Sequence, residues 1–170
     1  MHSKTRVIIC GRAGSGKDFL KTHFKTYFKT DVSLTTRNPR IGEVDGVDYK
    51  FVTKDYFCQM IMNESLFEYE IFGENYYGTE MESWEKSQVF IMTPTAIKKM
   101  KHKSTTFVIF LNIDLSVLGQ RLQKRNLTQQ QIETRFKLDD NEFEGFTDFN
   151  LVITNPLFNP NSIVQILKDI

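Results

Sequence analysis

The chain has 170 residues, a length that suits one domain built around one hydrophobic core. Its 22 basic and 21 acidic residues give a formal net charge of +1, which excludes a broadly basic nucleic-acid-binding surface and leaves room only for local basic sites. A hydrophobic fraction of 40% and a charged fraction of 25% are typical of a folded globular protein. Two cysteines are too few for a disulfide framework, and no apolar signal region or membrane-spanning run is visible, so we expect a cytoplasmic protein with reduced thiols.

The first predicted elements are a strand, a glycine loop and a helix. Residues 5–10 form a short apolar, β-branched run, and residues 17–28 place Leu20, Phe24 and Phe28 at helical spacing. The loop between them fits G-x-x-x-x-G-K and reads Gly11, Arg12, Ala13, Gly14, Ser15, Gly16, Lys17 and Asp18. In this context backbone N–H groups and the helix N-terminus attract phosphate, and Lys17 would reach the β and γ phosphates. An ordinary glycine turn is the alternative.

Asp18 stands where such a loop has serine or threonine, whose hydroxyl binds magnesium. A carboxylate is also a good ligand for a hard cation, so we expect Asp18 to hold magnesium and to make nucleotide binding strongly dependent on it. The alternative is an acid that only stabilises the helix N-terminus and has no role with a metal.

Later segments continue the alternation of strands and helices. Strand-length apolar runs occur at 66–72, 89–93, 106–113 and 150–154, and helices are predicted at 115–124 and 162–168. This order predicts an α/β fold with a mostly parallel sheet, whose ligand sites lie beyond the carboxyl ends of the strands. Residues 36–53 break the rhythm and predict an inserted, hairpin-rich subdomain, and the polar stretch 125–145 predicts a helical flap.

A second anion site is predicted in the segment from Thr35 to Tyr49. Arg37 and Arg40 lie three apart around a proline, a spacing that can form a planar donor clamp on a phosphate. A charged surface loop is the alternative. Downstream, Glu68 stands alone among apolar neighbours on a predicted strand, where it either faces a ligand or faces solvent.

Taken together, these residues resemble the guanylate kinase family over nearly the whole chain. The resemblance rests on the phosphate loop, on Ser33-x-Thr35-Thr36-Arg37-x-x-Arg40-x-Gly42-Glu43-Val44-Asp45-Gly46-x-Asp48-Tyr49-x-Phe51-Val52, and on Glu68 followed by Tyr76-Tyr77-Gly78-Thr79. It implies a P-loop NTPase-type parallel sheet with flanking helices, an inserted mixed-β subdomain that binds a nucleoside monophosphate, and a helical lid. It implies one domain over 1–170, with a core at 1–32, 80–124 and 146–170, the subdomain at 33–79 and the lid at 125–145.

The resemblance also implies an activity, the transfer of the γ-phosphoryl group of ATP to GMP or dGMP with Mg²⁺. The residues implied in binding GMP are Ser33, Arg37, Arg40, Tyr49, Glu68, Tyr77, Gly78 and Thr79. Besides the phosphate loop, Arg121 and Asn155 are implied in binding ATP, and Lys17, Arg37, Arg125 and Arg135 in catalysis. Glu68 suits guanine, because a carboxylate accepts from its adjacent N1–H and N2–H donors whereas adenine presents an acceptor there. We expect small-molecule nucleotides as the partners, no nucleic acid or membrane, and a monomer or weak homodimer.

The sequence departs from the family pattern in two places. Two family carboxylates are replaced by Met92 and Pro94, and we expect Asp18 to supply the metal carboxylate lost at Met92, so that Asp18→Ser loses much activity. The Gly-Lys-Asp loop also resembles viral deoxynucleoside monophosphate kinases, which leaves a kinase of broader specificity as an alternative. A catalytically silent module that binds acidic peptides is a second alternative, disfavoured because Lys17, Arg125 and Arg135 are all present.

Overall fold

The computed structural model describes residues 5–100 and 105–169, so residues 1–4, 101–104 and 170 of the predicted core lie outside it. The chain divides into two compact units. One consists of Met1–Phe28 and Val89–Ile170, and the other of Lys29–Gln88. Among the helices described, none has the length and apolar character needed to cross a membrane. The predicted limits of the subdomain and the lid stay predictions.

The described residues form strands and helices in alternation. The strands are β1 (Arg6–Gly11), β2 (Leu34–Thr35), β3 (Lys50–Phe51), β4 (Leu66–Phe72), β5 (Asn75–Glu80), β6 (Val89–Ile91), β7 (Thr106–Leu111) and β8 (Leu151–Ile153). The helices are α1 (Lys17–Phe24), α2 (Lys54–Met62), α3 (Met81–Lys86), α4 (Pro94–Met100), α5 (Leu115–Gln123), α6 (Gln129–Phe143) and α7 (Pro160–Lys168).

The first unit contains a parallel sheet in the order β6-β1-β7-β8. Strand β1 lies between β6 and β7, and every residue from Val7 to Gly11 is buried, as expected for a strand covered on both faces. Helices α1, α5 and α7 contribute Leu20, Leu118 and Val164 to one core with the sheet. The predicted α/β fold with a parallel sheet and flanking helices is therefore confirmed.

A phenylalanine cluster, defined as Phe110, Phe143, Phe146 and Phe149, covers another part of this unit. Phe110 on β7 stacks on Phe143 at the end of α6 with ring centroids 5.4 Å apart, and Phe146 meets Phe110 edge to face at 5.4 Å. Such ring pairs add to the free energy of burial because the positive edge of one ring meets the negative face of another. The cluster contains four of the chain's 15 phenylalanines, and it anchors the C-terminal end of α6.

The second unit contains a mixed sheet in the order β3-β2-β5-β4. β2 and β3 are parallel, whereas β5 is antiparallel to β2 and to β4. β4 and β5 form a hairpin whose turn includes Gly73 at φ +61°, a left-handed conformation that favours glycine. The register between them shifts between Leu66 and Glu68, a local irregularity of the strand pairing. The hairpin follows residues 36–53, the segment whose composition predicts a hairpin-rich insertion.

Two helices were not predicted from the sequence and one is shorter than predicted. Helix α2 follows Thr53, whose hydroxyl accepts the N–H of Tyr56 and so caps it. Helix α4 begins at Pro94, a residue that suits the first turn of a helix because its missing N–H has no partner there. The predicted helix 17–28 ends at Phe24 and continues as turns.

Candidate functional site

The loop between β1 and α1 has the shape of a phosphate-binding loop. Gly14 and Gly16 have φ of +79° and +104°, which glycine adopts without strain. A Cβ on Gly11 would lie 2.9 Å from the carbonyl oxygen of Leu111, so a side chain there would push β1 and β7 apart. α1 begins at Lys17, which places its unpaired N-terminal N–H groups at the loop. The loop thus offers a compact anion site.

Lys17 lies partly buried across this loop. Its Nζ donates to the carbonyl oxygens of Gly11 at 2.6 Å and Arg12 at 3.0 Å. Burial lowers the pKa of Lys17, and the neighbouring carboxylates of Asp18 and Asp139 oppose that shift without cancelling it. Negative charge brought close to Nζ would restore the ordinary pKa.

Ser15 contributes a further polar group to the loop. Its residue is fully buried, and its Oγ has no hydrogen-bond partner within the part of the chain that the structure describes. A buried hydroxyl without a partner is costly, and a phosphate oxygen would satisfy it. The loop therefore fits the triphosphate that the sequence predicts.

Arg121 ties the phosphate loop to the segment after β8. Its Nη1 donates to the carbonyl oxygens of Gly14 at 3.0 Å and Ser15 at 3.3 Å, and its Nη2 donates to that of Pro156 at 2.9 Å. Asn155 lies in the same segment, where its Oδ1 accepts the N–H of Leu157. The structure thus brings Arg121 and Asn155 to the loop, with Arg121 bound to main-chain oxygens; their contact with ATP stays a prediction.

Helix α6 meets the phosphate loop through two adjacent acids that the sequence did not single out. Asp139 is 3% exposed, and its Oδ2 accepts the N–H of Ala13 at 2.9 Å. Its Oδ1 lies 3.3 Å from Nε of Arg135, while Asp140 forms an ion pair with Arg12. The structure therefore places Arg12, Ala13 and Arg135 together.

Arg125 lies elsewhere in the same unit. It follows the end of α5, its side chain is exposed, and its N–H donates to the carbonyl oxygen of Leu122. No described contact joins it to the phosphate loop, so its catalytic role stays a prediction.

In the second unit, Arg37 forms the centre of a cluster with one carboxylate and two aromatic rings. Its Nη1 and Nη2 donate to the two carboxylate oxygens of Glu43, each at 2.9 Å. The guanidinium carbon lies 5.3 Å from the ring centre of Tyr49 and 5.6 Å from that of Phe51. Tyr49 in turn packs on Tyr77 at 6.4 Å. Held flat by a carboxylate and two rings, Arg37 is oriented for planar recognition of an anion.

Glu43 orients this cluster. Burial raises its pKa, but hydrogen bonds from Arg37 and from the N–H of Arg40 outweigh burial and hold the pKa below its ordinary value. The carboxylate is therefore ionised at neutral pH. Arg40 is exposed, and its backbone rather than its guanidinium makes this contact.

Glu68 and Thr79 form a second polar pair on the same sheet. They face each other across β4 and β5, and Thr79 Oγ1 donates to Glu68 Oε1 at 2.7 Å. Between Tyr77 and Thr79, Gly78 leaves no space, because a Cβ there would lie 2.9 Å from Phe57 and 3.0 Å from the Glu68 carbonyl oxygen. Gly78 therefore allows the strands to close, which is a packing role beside its predicted place in the site.

Ser33 belongs to a buried network that the sequence did not predict. Its Oγ donates to Asp31 at 2.5 Å, and Ser83 donates to the other oxygen of Asp31. Asp31 is fully buried, so the two hydroxyls satisfy its carboxylate. The hydroxyl proton of Ser33 thus points to Asp31 in this structure.

The chain's single tryptophan lies close by. Trp84 is 6% exposed and stacks on Phe67, with ring centroids 3.8 Å apart and planes 8° apart. Phe67 is the neighbour of Glu68 on β4.

After β6, Met92 and Pro94 stand at the two positions where the family resemblance implies carboxylates. Met92 is buried, Pro94 starts α4, and the hydroxyl of Thr95 donates to both carboxylate oxygens of Glu142 on α6, at 3.0 and 2.9 Å. Across the described stretches 5–100 and 105–169, no group of three or more histidine, cysteine, aspartate or glutamate residues has metal-binding geometry. Asp18 is exposed in the first turn of α1.

Comparison with known proteins gives a consistent result. A family model described as guanylate kinase matches residues 3–170. The chain is 35% identical to a guanylate kinase of Clostridium perfringens (strain SM101 / Type A), covering 88% of this chain and 74% of that protein. It is 33% identical to a guanylate kinase of Latilactobacillus sakei, covering 95% and 86% respectively. In fold it is similar to the crystal structure of guanylate kinase from Anaplasma phagocytophilum, with a TM-score of 0.75, 19% identity, and coverage of 99% of this chain and 87% of that one.

Proposed function

The chain belongs to the guanylate kinase family of ATP-dependent enzymes, and from that premise we propose that it transfers the γ-phosphoryl group of ATP to GMP or dGMP, giving ADP and GDP or dGDP. The first unit would bind ATP and the second would bind the monophosphate.

The arrangement along β5 is the observation that carries the choice of acceptor. Tyr77 packs in the Arg37 cluster through Tyr49, and Thr79 is hydrogen-bonded to Glu68. Two residues apart on a strand, Tyr77 and Thr79 point to the same face, with Cα atoms about 7 Å apart. This spacing supports the proposal, because the group that would bind phosphate and the group that would read a base lie side by side, as a nucleoside monophosphate requires.

Glu68 supports guanine over adenine. Its carboxylate would accept from N1–H and N2–H of guanine, and Thr79 holds it in place. Adenine would set an acceptor against the carboxylate and leave a charge without donors, which is costly in a partly buried site. Ser33 would contact the acceptor phosphate by turning its hydroxyl away from Asp31.

The reaction itself needs little acid–base chemistry. An oxygen of the GMP phosphate attacks the γ-phosphorus, the bond from that phosphorus to the β–γ bridging oxygen breaks, and ADP leaves with the electron pair. The attacking oxygen is already anionic, so no general base is required. Catalysis is then positioning and charge neutralisation, for which we assign Lys17, Arg37, Arg125 and Arg135.

Asp18 is the residue assigned to magnesium. A carboxylate matches the preference of Mg²⁺ for oxygen ligands, and Asp18 stands at the start of α1 beside the phosphate loop. When bound, the ion supplies positive charge to the phosphate oxygens of ATP. Without it, the carboxylate would repel the triphosphate, so ATP affinity should fall sharply when magnesium is removed.

The test is a survey of phosphoryl acceptors with ATP and Mg²⁺, using GMP, dGMP, AMP, dTMP, CMP and UMP. We expect transfer to GMP and dGMP at rates at least about 100-fold above the others, since losing paired hydrogen bonds to a charged group costs that much. Lys17→Met is the control for contaminating kinases. Comparable rates with dTMP or AMP would contradict the guanine assignment, and absence of transfer to every acceptor would contradict the proposed activity.

A further inference from the structure

Asp139 is an unusual residue for the face of a helix, because it is an acid almost fully withdrawn from water. It is 3% exposed, whereas its neighbour Asp140, which pairs with Arg12, keeps 56% of its side-chain surface exposed. Burying a carboxylate is costly unless its oxygens find donors. Both oxygens of Asp139 have such contacts, one with a backbone N–H and one with a guanidinium, and these offset the cost of burying the charge.

The two oxygens of Asp139 contact different parts of the unit. Oδ2 accepts the N–H of Ala13 at 2.9 Å, in the middle of the phosphate loop. Oδ1 lies 3.3 Å from Nε of Arg135, one helical turn earlier on α6. One carboxylate therefore bridges the backbone of the phosphate loop and the guanidinium of Arg135.

The ion pair at Nε is one restraint on the orientation of Arg135. Nε is the guanidinium nitrogen nearest the helix, so an ion pair there limits rotation of the whole planar group. An arginine side chain that is not restrained in this way loses rotamer entropy when a ligand orders it. Asp139 is held by Ala13, and the end of α6 is held by stacking of Phe143 on Phe110. The bridge is therefore fixed at both ends by contacts within the same unit.

We propose that Asp139 is a positioning residue that holds the guanidinium of Arg135 over the phosphate loop before ATP binds. The inference rests on the proposed function, in which Arg135 neutralises the transferring phosphoryl group. It assigns Asp139 no contact with either substrate. Its effect is expected in kcat, since an arginine that must be ordered anew in each catalytic cycle stabilises the transition state less well.

A different role for the same contact gives the opposite kinetics. A carboxylate that merely blocks the anion site would compete with ATP, so its removal would tighten ATP binding and leave kcat unchanged or raised. A positioning carboxylate leaves the KM for ATP nearly unchanged and lowers kcat when removed.

The test is steady-state kinetics of Asp139→Asn with ATP and GMP. We expect kcat to fall about 10-fold, the size of effect that the loss of one orienting interaction produces. The KM for ATP should change less than about 3-fold. Asp139→Glu should recover part of the loss, because it restores the charge. Glu133→Gln, an exposed change of carboxylate to amide on the same helix, should stay within about 2-fold of the parent.

A double-mutant cycle separates action through Arg135 from a general structural effect. In an Arg135→Ala background, Asp139→Asn should cause no further loss of kcat. Three results would overturn the proposal: kcat losses of the two single variants that multiply in the double variant, an unchanged kcat in Asp139→Asn, or tighter ATP binding by Asp139→Asn.

Asp139→Ser repeats the test with a smaller side chain. If neither Asp139 variant folds, seen as a lost thermal transition, the proposal is overturned in favour of a structural role. If the parent chain transfers no phosphoryl group, the proposed function fails; if the parent is active and the variants match it, only this inference fails.

Discussion

At the scale of a single residue, Glu68 is the side chain that we propose selects the base. Glu68→Gln replaces one acceptor oxygen with an N–H₂ donor, which would face a donor of guanine. A hydrogen bond to a charged group is worth about 1.5–3 kcal/mol, so we expect the KM for GMP to rise about 10- to 100-fold. Steady-state kinetics with saturating ATP measures this. Glu74→Gln, exposed in the same hairpin, is the matched control, and an equal effect in both variants would contradict the assignment.

Lys17 predicts a dependence of ATP binding on pH. Its pKa is lowered in the free protein by burial, and the phosphates of bound ATP would raise it. Between those two pKa values, ATP binding takes up a proton, and ATP affinity falls as the pH rises through the pKa of the free protein.

Calorimetry in two buffers of different ionisation enthalpy measures this proton uptake. In Lys17→Arg the guanidinium does not titrate in this range, so the uptake should disappear. An ATP affinity that is independent of pH up to the ordinary lysine range would contradict the prediction.

Single residues also show how far the sequence predicts the site. The phosphate loop and the segment around Arg37 were predicted because their residues lie close together in the chain. Asp139 and Asp31 were not, because their contacts cross 126 positions to Ala13 and 52 positions to Ser83. Spacing along the chain carries no information on such pairs. The only signal for Asp139 was its place in the predicted lid.

At the scale of elements, the closeness of β4 and β5 depends on Gly78. Gly78→Ala would bring a methyl group to 2.9 Å from Phe57 and 3.0 Å from the carbonyl oxygen of Glu68. Forcing such a group into a packed site typically costs about 1–3 kcal/mol, so we expect unfolding at lower denaturant concentration. The displaced Glu68 backbone should also raise the KM for GMP.

Gly119→Ala is the control for that variant, because the same methyl group on α5 would meet open space. It should stabilise the protein by about 0.5–1 kcal/mol, since alanine loses less backbone entropy in a helix. Urea denaturation followed by far-ultraviolet circular dichroism compares the two. Equal shifts in both variants would contradict the packing role of Gly78.

The elements also show which parts of the fold the sequence predicts. Strands β1, β4, β6, β7 and β8 were found because they are apolar runs of strand length. Helix α2 was missed because it buries only Phe57 completely, which gives no helical stripe of apolar residues. Strands β2 and β3 are each two residues long. They owe their conformation to strand pairing, β3 with β2 and β2 with β5, rather than to their own composition.

At the scale of the whole molecule, the near-neutral charge reflects pairing inside the predicted sites. Arg12, Arg37 and Arg135 each form an ion pair with a carboxylate of the same chain. The acids keep these arginines ordered in the absence of a ligand. Phosphate binding then exchanges or shares these partners, so ATP and GMP affinities should depend less on salt than those of an open basic surface.

Because we assign ATP to one unit and GMP to the other, we expect each substrate to slow hydrogen exchange in a different part of the chain. Hydrogen exchange of the intact chain with GMP alone should slow exchange mainly in residues 29–88, at β4 and β5. ATP with Mg²⁺ alone should slow exchange mainly at residues 11–18 and in α6. Ligand binding raises the free energy of local opening where contacts form, so the pattern maps each site. Protection of the phosphate loop by GMP alone would contradict the assignment.

The stacking of Trp84 on Phe67 has a practical consequence. Because the chain has one tryptophan, all of its indole fluorescence originates beside the strand that carries Glu68. The indole is thus an intrinsic optical probe next to the proposed acceptor site, and we expect GMP binding to change its emission, a change that can be followed without a dye or a coupled reaction.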